Sequence, residues 1–105
     1  MNDKPAECAE FLVSECIATP EGWLVRGICN RGTITLGEVF DSVVSERAAA
    51  TPAALQLRVN GIVAYRRSIT ELPCGMSAEL HCTGAGAEKL TQNDLLVASG
   101  KGRAP

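Results

Sequence analysis

The sequence predicts an all-β domain, and three observations predict it. Short β-branched and apolar runs recur between glycines, helical periodicity is nearly absent, and turn residues punctuate the runs at the spacing of a sandwich or barrel. A chain of 105 residues can bury one core but not two, so one domain is expected over 10–99, with short flexible tails at 1–9 and 100–105.

Taken in order, strands are expected at 10–18 (EFLVSECIA), 23–30 (WLVRGICN), 37–44 (GEVFDSVV), 55–65 (LQLRVNGIVAY), 76–83 (MSAELHCT) and 95–98 (LLVA), with a small extra strand at 33–35. Pro20-Glu21-Gly22 and Asn30-Arg31-Gly32 read as turns, and Pro73-Cys74-Gly75 as the entry to the fifth main strand. Ser45 to Ala54 breaks the rhythm. Its alanines favour a helical turn and Pro52 ends one, so a loop with at most one short helix is expected there.

Alternation assigns faces. Trp23, Val25 and Cys29 should point inward from the second strand, and Ala78, Leu80 and Cys82 from the fifth, leaving Glu79 and His81 outside. Leu24 and Ile28 fall on the outer face beside Arg26. Such an apolar pair either marks a contact surface or lies under the 45–54 loop.

Composition narrows the function classes. Hydrophobic residues make up 46% and charged residues 21%, a globular balance rather than a disordered one. The net charge of -2 gives no overall attraction to phosphate, so any RNA contact must be local. No stretch approaches a membrane span, and the N-terminus lacks the basic and apolar regions of a signal peptide; a cytoplasmic protein is expected. Cys8, Cys16, Cys29, Cys74 and Cys82 are an odd set without a C-x-x-C pair. They read as reduced thiols, with Cys16, Cys29 and Cys82 as small core residues.

Catalytic chemistry is not visible. No G-x-x-x-x-G-K-[ST] loop exists to cradle phosphate, and Gly100-Lys101-Gly102-Arg103 lacks its spacing and its hydroxyl residue, so no GTP binding is expected. His81 and Cys82 are strand neighbours and should face opposite ways, which disfavours a nucleophile–base pair. One histidine with no thiol or carboxylate cluster around it makes no metal site. The expectation is a non-catalytic module without metal or cofactor. Arg66 and Arg67, after Tyr65 and with Arg58 seven residues earlier, form the densest basic segment. It suits either a phosphate backbone, an acidic partner or plain solvent.

The order of features resembles the second, β-barrel domain of translational GTPases of the elongation factor Tu type. The residues that carry it are Gly22-Trp-Leu-Val-Arg-Gly27, then Asn30-Arg31-Gly32-Thr-Ile-Thr-Leu-Gly37-Glu38, then Leu57 to Tyr65-Arg66-Arg67, Cys74-Gly75 and the closing Leu-Leu-Val-Ala98. Residues 11–98 are covered. The resemblance implies a single closed or nearly closed antiparallel barrel, with Gly27 at a bulge or close backbone approach, Gly32 and Gly37 at turns, and Asn93 in a left-handed turn position. It also implies a stand-alone binding module that meets RNA, the ribosome or a translation-related protein; a protein–protein or mimic module without an RNA role is the alternative. The family's aminoacyl-pocket positions fall on Ser14, Glu15 and Ile17, where the family has two acids and an aromatic, and on Ser77, where it has Asn, with Ala78 beside it. The implied fold is kept while the implied pocket chemistry is altered. Oligomeric state is left open by the sequence.

Overall fold

The two longest strands of the chain are consecutive and pair with each other. A computed structural model of the protein describes residues 9–44 and 55–98. The 45–54 segment, Cys8, the 100–105 tail with its Gly-Lys-Gly-Arg run, and the first eight residues lie outside the described residues. Strands β1 (Ala9–Thr19) and β2 (Gly22–Arg31) form a hairpin across Pro20-Glu21. They are followed by β3 (Thr33–Thr35), β4 (Val39–Phe40), β5 (Ser42–Val44), β6 (Gln56–Ala64), β7 (Arg67–Ile69), β8 (Glu71–Pro73), β9 (Ser77–Ala85) and β10 (Leu95–Ala98). A single 3-10 turn spans Ala87–Lys89.

The main sheet runs β4-β6-β9-β2-β1-β10-β5, every pair antiparallel, with β7 added to β6. Its two end strands, β4 and β5, are separated only by Asp41. The run expected as one strand at 37–44 is therefore two short ones: Val39 and Phe40 pair with β6, then Ser42 to Val44 pair with β10. Asp41 donates its N–H to the Val97 carbonyl at 3.1 Å as the chain changes partner. This hand-over curls the sheet into a nearly closed antiparallel barrel, which leaves little unpaired edge.

Strands β7 and β8 were not legible as strands. Each has three residues and one apolar side chain, and β8 ends in Pro73, which is tolerated because β3–β8 is a separate two-stranded sheet. Ile34 and Leu72, paired across that small sheet, are both fully buried in the common core. Phe11, Val13, Val25, Phe40, Leu57, Val59, Ile62, Leu80 and Leu96 fill the rest of it.

The expected faces hold on β2 and β9. Val25, Cys29, Leu80 and Cys82 are buried, Ala78 is nearly so, Trp23 is half-buried against the core, and His81 is exposed. On β1 the alternation changes phase. Phe11 and Val13 point inward, Ser14 is an extra residue, and Glu15 rather than Ser14 stands opposite Arg26. This β-bulge sits beside Gly27, where an added Cβ would come 2.0 Å from the Leu12 carbonyl oxygen and 2.9 Å from the Phe11 ring. No side chain fits that approach. Gly37, at φ 88, instead faces open space.

Burial governs the core thiols. It pushes Cys82 up to about 12, with Cys16 adding a smaller push in the same direction, and it also raises Cys16 and Cys29. Cys74 is exposed.

Two outcomes follow from this packing. Gly27→Ala should cost at least about 2 kcal/mol in urea unfolding, whereas Gly37→Ala, which adds only left-handed strain, should cost roughly 1 kcal/mol. For Cys82, the unfolded thiol ionises near its ordinary value of 9.0 while the folded one stays neutral to about 12. The folded state therefore loses stability as pH rises through that window, and Cys82→Ala should remove that share of the loss when the two pH profiles are compared.

Candidate functional site

The β1 bulge and the β6–β7 hairpin face each other across one groove of about 690 Å³. Its floor is the outer surface of β1, β2, β9 and β6, which present Leu12, Ile28 and Ser77 in one paired row and Glu15, Arg26, Glu79 and Val63 in the next. Ser14 and Asn93 stand on one rim; Tyr65 and Arg66 stand on the other.

The bulge sets the first rim. Ser14 donates its hydroxyl to the Arg26 carbonyl at 3.0 Å. Val13 donates its N–H to the Asp94 carbonyl at 2.8 Å and accepts from the Asn93 N–H at 2.8 Å, which ties the bulge to the turn before β10. Asn93 takes φ 76, the left-handed position expected for it. The buried Asp94 carboxylate accepts the Thr91 N–H at 2.9 Å and so closes that turn.

In the floor, Arg26 donates to Glu15 at 2.9 Å and to Glu79 at 2.9 Å. These hydrogen bonds, to Glu15 first and Glu79 second, raise the guanidinium pKa above its ordinary value. One cation between two carboxylates leaves the middle of the floor with a net negative charge. The opposite rim is cationic. Arg66 and Arg67 are exposed and form no ion pair among the described residues.

That rim is a two-residue turn between the paired residues Ala64 and Arg67. Tyr65 and Arg66 have φ 54 and 66, the type I′ signature. The strand expected to run to Tyr65 thus stops at Ala64, because the chain reverses there. Tyr65 is 77% exposed, the most exposed of the large hydrophobic side chains described.

The expected site positions are only partly gathered. Ser14, Ser77, Ala78 and Arg66 line the groove, and Glu15 joins it through Arg26. Ile17 pairs with Leu24 one row further along and does not line it. Arg67 lies just beyond the turn, in β7. Arg58 is separated from Tyr65 by seven residues of extended chain, roughly 20 Å, so the three arginines make no single patch. Of the outer apolar pair, Ile28 lines the groove, while Leu24 sits beside His81. Sequence reasoning did not place Tyr65, Arg26, Glu79 or Asn93 in a shared site. The available signal was Ala-Tyr-Arg-Arg-Ser-Ile, in which a two-residue turn restores alternation onto Ile69. A second, smaller depression of about 500 Å³ contains Leu36, Asn60, Ile69 and His81. Among the described residues no group of three or more His, Cys, Asp or Glu side chains converges as a metal set.

No protein-family profile matches the sequence, and no curated protein matches it. Solved structures do. Translation elongation factor SelB from Methanococcus maripaludis superposes in its apo form with a TM-score of 0.73 at 17% identity over 90% of this chain. The same factor in complex with the GTP analogue GppNHp gives 0.72 at 16% over 96%, and a bacterial selenocysteine-specific elongation factor, EF-Sec, gives 0.62 at 19% over 90%. The fold is that of a translation-factor β-barrel. This chain spans 19%, 21% and 15% of the lengths of those three chains, so the translation-factor barrel corresponds to one part of each.

The ion triad should matter little to the stability of this barrel, because all three side chains are substantially exposed. Arg26→Met is expected to leave the thermal midpoint at physiological salt close to that of the parent protein, as scanning calorimetry would record.

Proposed function

We propose that this chain is a non-catalytic binding module of the translation-factor type, and that the groove between Ser14 and Tyr65 is its RNA-contacting surface. The observation that carries this reading is the rim itself. A solvent-exposed aromatic ring stands beside two arginines that no carboxylate neutralises among the described residues, above a groove whose floor includes the apolar Leu12, Ile28 and Val63. Single-stranded RNA is held by this combination: bases stack on aromatic faces and phosphates meet guanidinium groups. The chain's net charge of -2 does not oppose it, since the cations are placed locally. The resemblance to elongation-factor barrels supports a place in translation, and with it the cytoplasm; the lack of a G-x-x-x-x-G-K-[ST] pattern in this sequence supports a module that does not itself bind GTP.

A second reading has its own support. The negative floor formed by Glu15, Arg26 and Glu79 suits a basic segment of a protein partner, which would make the chain a protein–protein module with no RNA role.

Fluorescence anisotropy with labelled single-stranded RNA separates the two. Saturable, salt-sensitive binding is expected, and each of Arg66→Gln and Arg67→Gln should weaken it and lower the slope of log affinity against log salt by roughly 0.7. Absence of RNA binding, with capture of a basic protein by the same surface, would favour the second reading.

A further inference from the structure

We propose that Cys29 and Cys74 form a dithiol site that closes to a disulfide when it meets a low-molecular-weight disulfide such as oxidised glutathione, stapling the end of β2 to the turn before β9, and reopens on reduction. It stands independently of the RNA reading.

Backbone geometry brings these two cysteines together from distant parts of the chain. The turn Pro73-Cys74-Gly75-Met76 closes with the Met76 N–H on the Pro73 carbonyl at 3.3 Å, and Gly75 takes φ 92 at its third position, as a type II turn requires. Gly75 donates its N–H to the Cys29 carbonyl at 2.8 Å, and Cys29 donates its own to the Met76 carbonyl at 2.9 Å. Two residues therefore oppose one, in the type of bulge that places a glycine in the left-handed region. Residues joined in this way hold their α-carbons about 5.5 Å apart, and Cys74 lies one step of about 3.8 Å further along, so the α-carbons of Cys29 and Cys74 are separated by roughly 5–7 Å. A disulfide spans about 4.4–6.8 Å.

The thiols converge as well. The next pair beyond the bulge is Thr33 with Pro73, so Asn30, Arg31 and Gly32 on one side arch over Cys74 alone on the other. Cys74 donates its thiol to the Asn30 carbonyl at 3.5 Å, while the Cys29 thiol reaches the carbonyls of Arg31 at 3.6 Å and Gly32 at 3.4 Å. Both sulfurs thus lie against consecutive carbonyls of one arch. Burial pushes the Cys29 thiol above its ordinary value, and nearby Cys74 adds to that push.

Exposure assigns the two roles. Cys74 is exposed and Cys29 is buried, so the small disulfide meets Cys74 first. A Cβ added at Gly75 would find nothing within 4 Å, which leaves open space beside the turn. The Cys74 thiolate attacks one sulfur of the small disulfide, its S–S bond breaks, and the departing thiolate takes up a proton, leaving a mixed disulfide on Cys74. Cys29, having given its proton to water, then attacks the Cys74 sulfur and expels the second small thiolate, which is protonated in turn. Two protein thiols and one small disulfide become one protein disulfide and two small thiols. Cys16 and Cys82 are not suited to this chemistry. They pair with Val25 and Trp23 from opposite sides of β2, two strand spacings or roughly 9–10 Å apart, which a disulfide does not span.

The full chain carrying Cys8→Ser, treated with oxidised glutathione, quenched in acid, unfolded and labelled with N-ethylmaleimide, tests the site by fragment mass spectrometry. Cys29 and Cys74 should lose their labelling and be joined to each other without glutathione, Cys16 and Cys82 should stay labelled, and dithiothreitol should restore the lost labelling. Adding Cys74→Ser should abolish the product, and adding Cys29→Ala should leave glutathione on Cys74. A lasting glutathione adduct on Cys74 with Cys29 intact, a bond that uses Cys16 or Cys82, or full labelling after prolonged exposure would overturn the proposal. The Cys74→Ser arm decides the matter even where Cys29→Ala fails to fold, because the Cys74 side chain is exposed.

Discussion

The Leu12 carbonyl and the Gly27 α-carbon approach so closely that no side chain fits between them, and the groove depends on that contact. Because β2 can press against β1 there, β1 accommodates one extra residue, Ser14, without parting the hairpin. The extra residue inverts the alternation. Beyond it Glu15 stands outside opposite Arg26, and Cys16 turns toward the core. The same bulge directs the Val13 backbone to Asn93 and Asp94, which fixes the far rim. A single absent methyl group therefore places an ion triad, a hydroxyl and an asparagine turn around one depression.

Charge in that depression is arranged in two zones with different consequences. The floor holds a cation already committed to two carboxylates, all partly exposed, so it contributes shape and a negative field more than stability. The rim holds cations with no carboxylate partner among the described residues, next to an exposed ring. A ligand with an anionic backbone and flat apolar faces meets attraction at the rim and repulsion at the centre of the floor. That favours the rim and the uncharged Leu12–Ile28–Ser77 row over the Glu15–Arg26–Glu79 row.

Much of the barrel was legible in the sequence because strand alternation and glycine placement are local signals. Val25, Cys29, Leu80 and Cys82 point inward as alternation requires, and Gly27, Gly32, Gly37 and Asn93 occupy the close approach and the turns expected of them. The misreadings come from tertiary effects. Asp41 splits an apparently continuous strand because the two halves pair with different neighbours, which no local pattern reveals. The strands β7 and β8 are too short and polar to announce themselves. The site was harder still. Ser14, Ser77 and Arg66 were singled out, but their grouping with Tyr65, Arg26 and Asn93 follows from a bulge and a hairpin reversal. Arg58, near in sequence to Arg66, lies roughly 20 Å away because the intervening chain is extended.

RNA held in the groove between Ser14 and Tyr65, as proposed, would be registered by backbone amide chemical shifts while single-stranded RNA is titrated into the protein. Changes are expected to concentrate at Leu12, Ser14, Ile28, Tyr65, Arg66, Ser77 and Asn93, with Leu36, Asn60 and His81 unmoved. Changes centred on Leu36 and His81, or none at saturating RNA, would contradict the proposal.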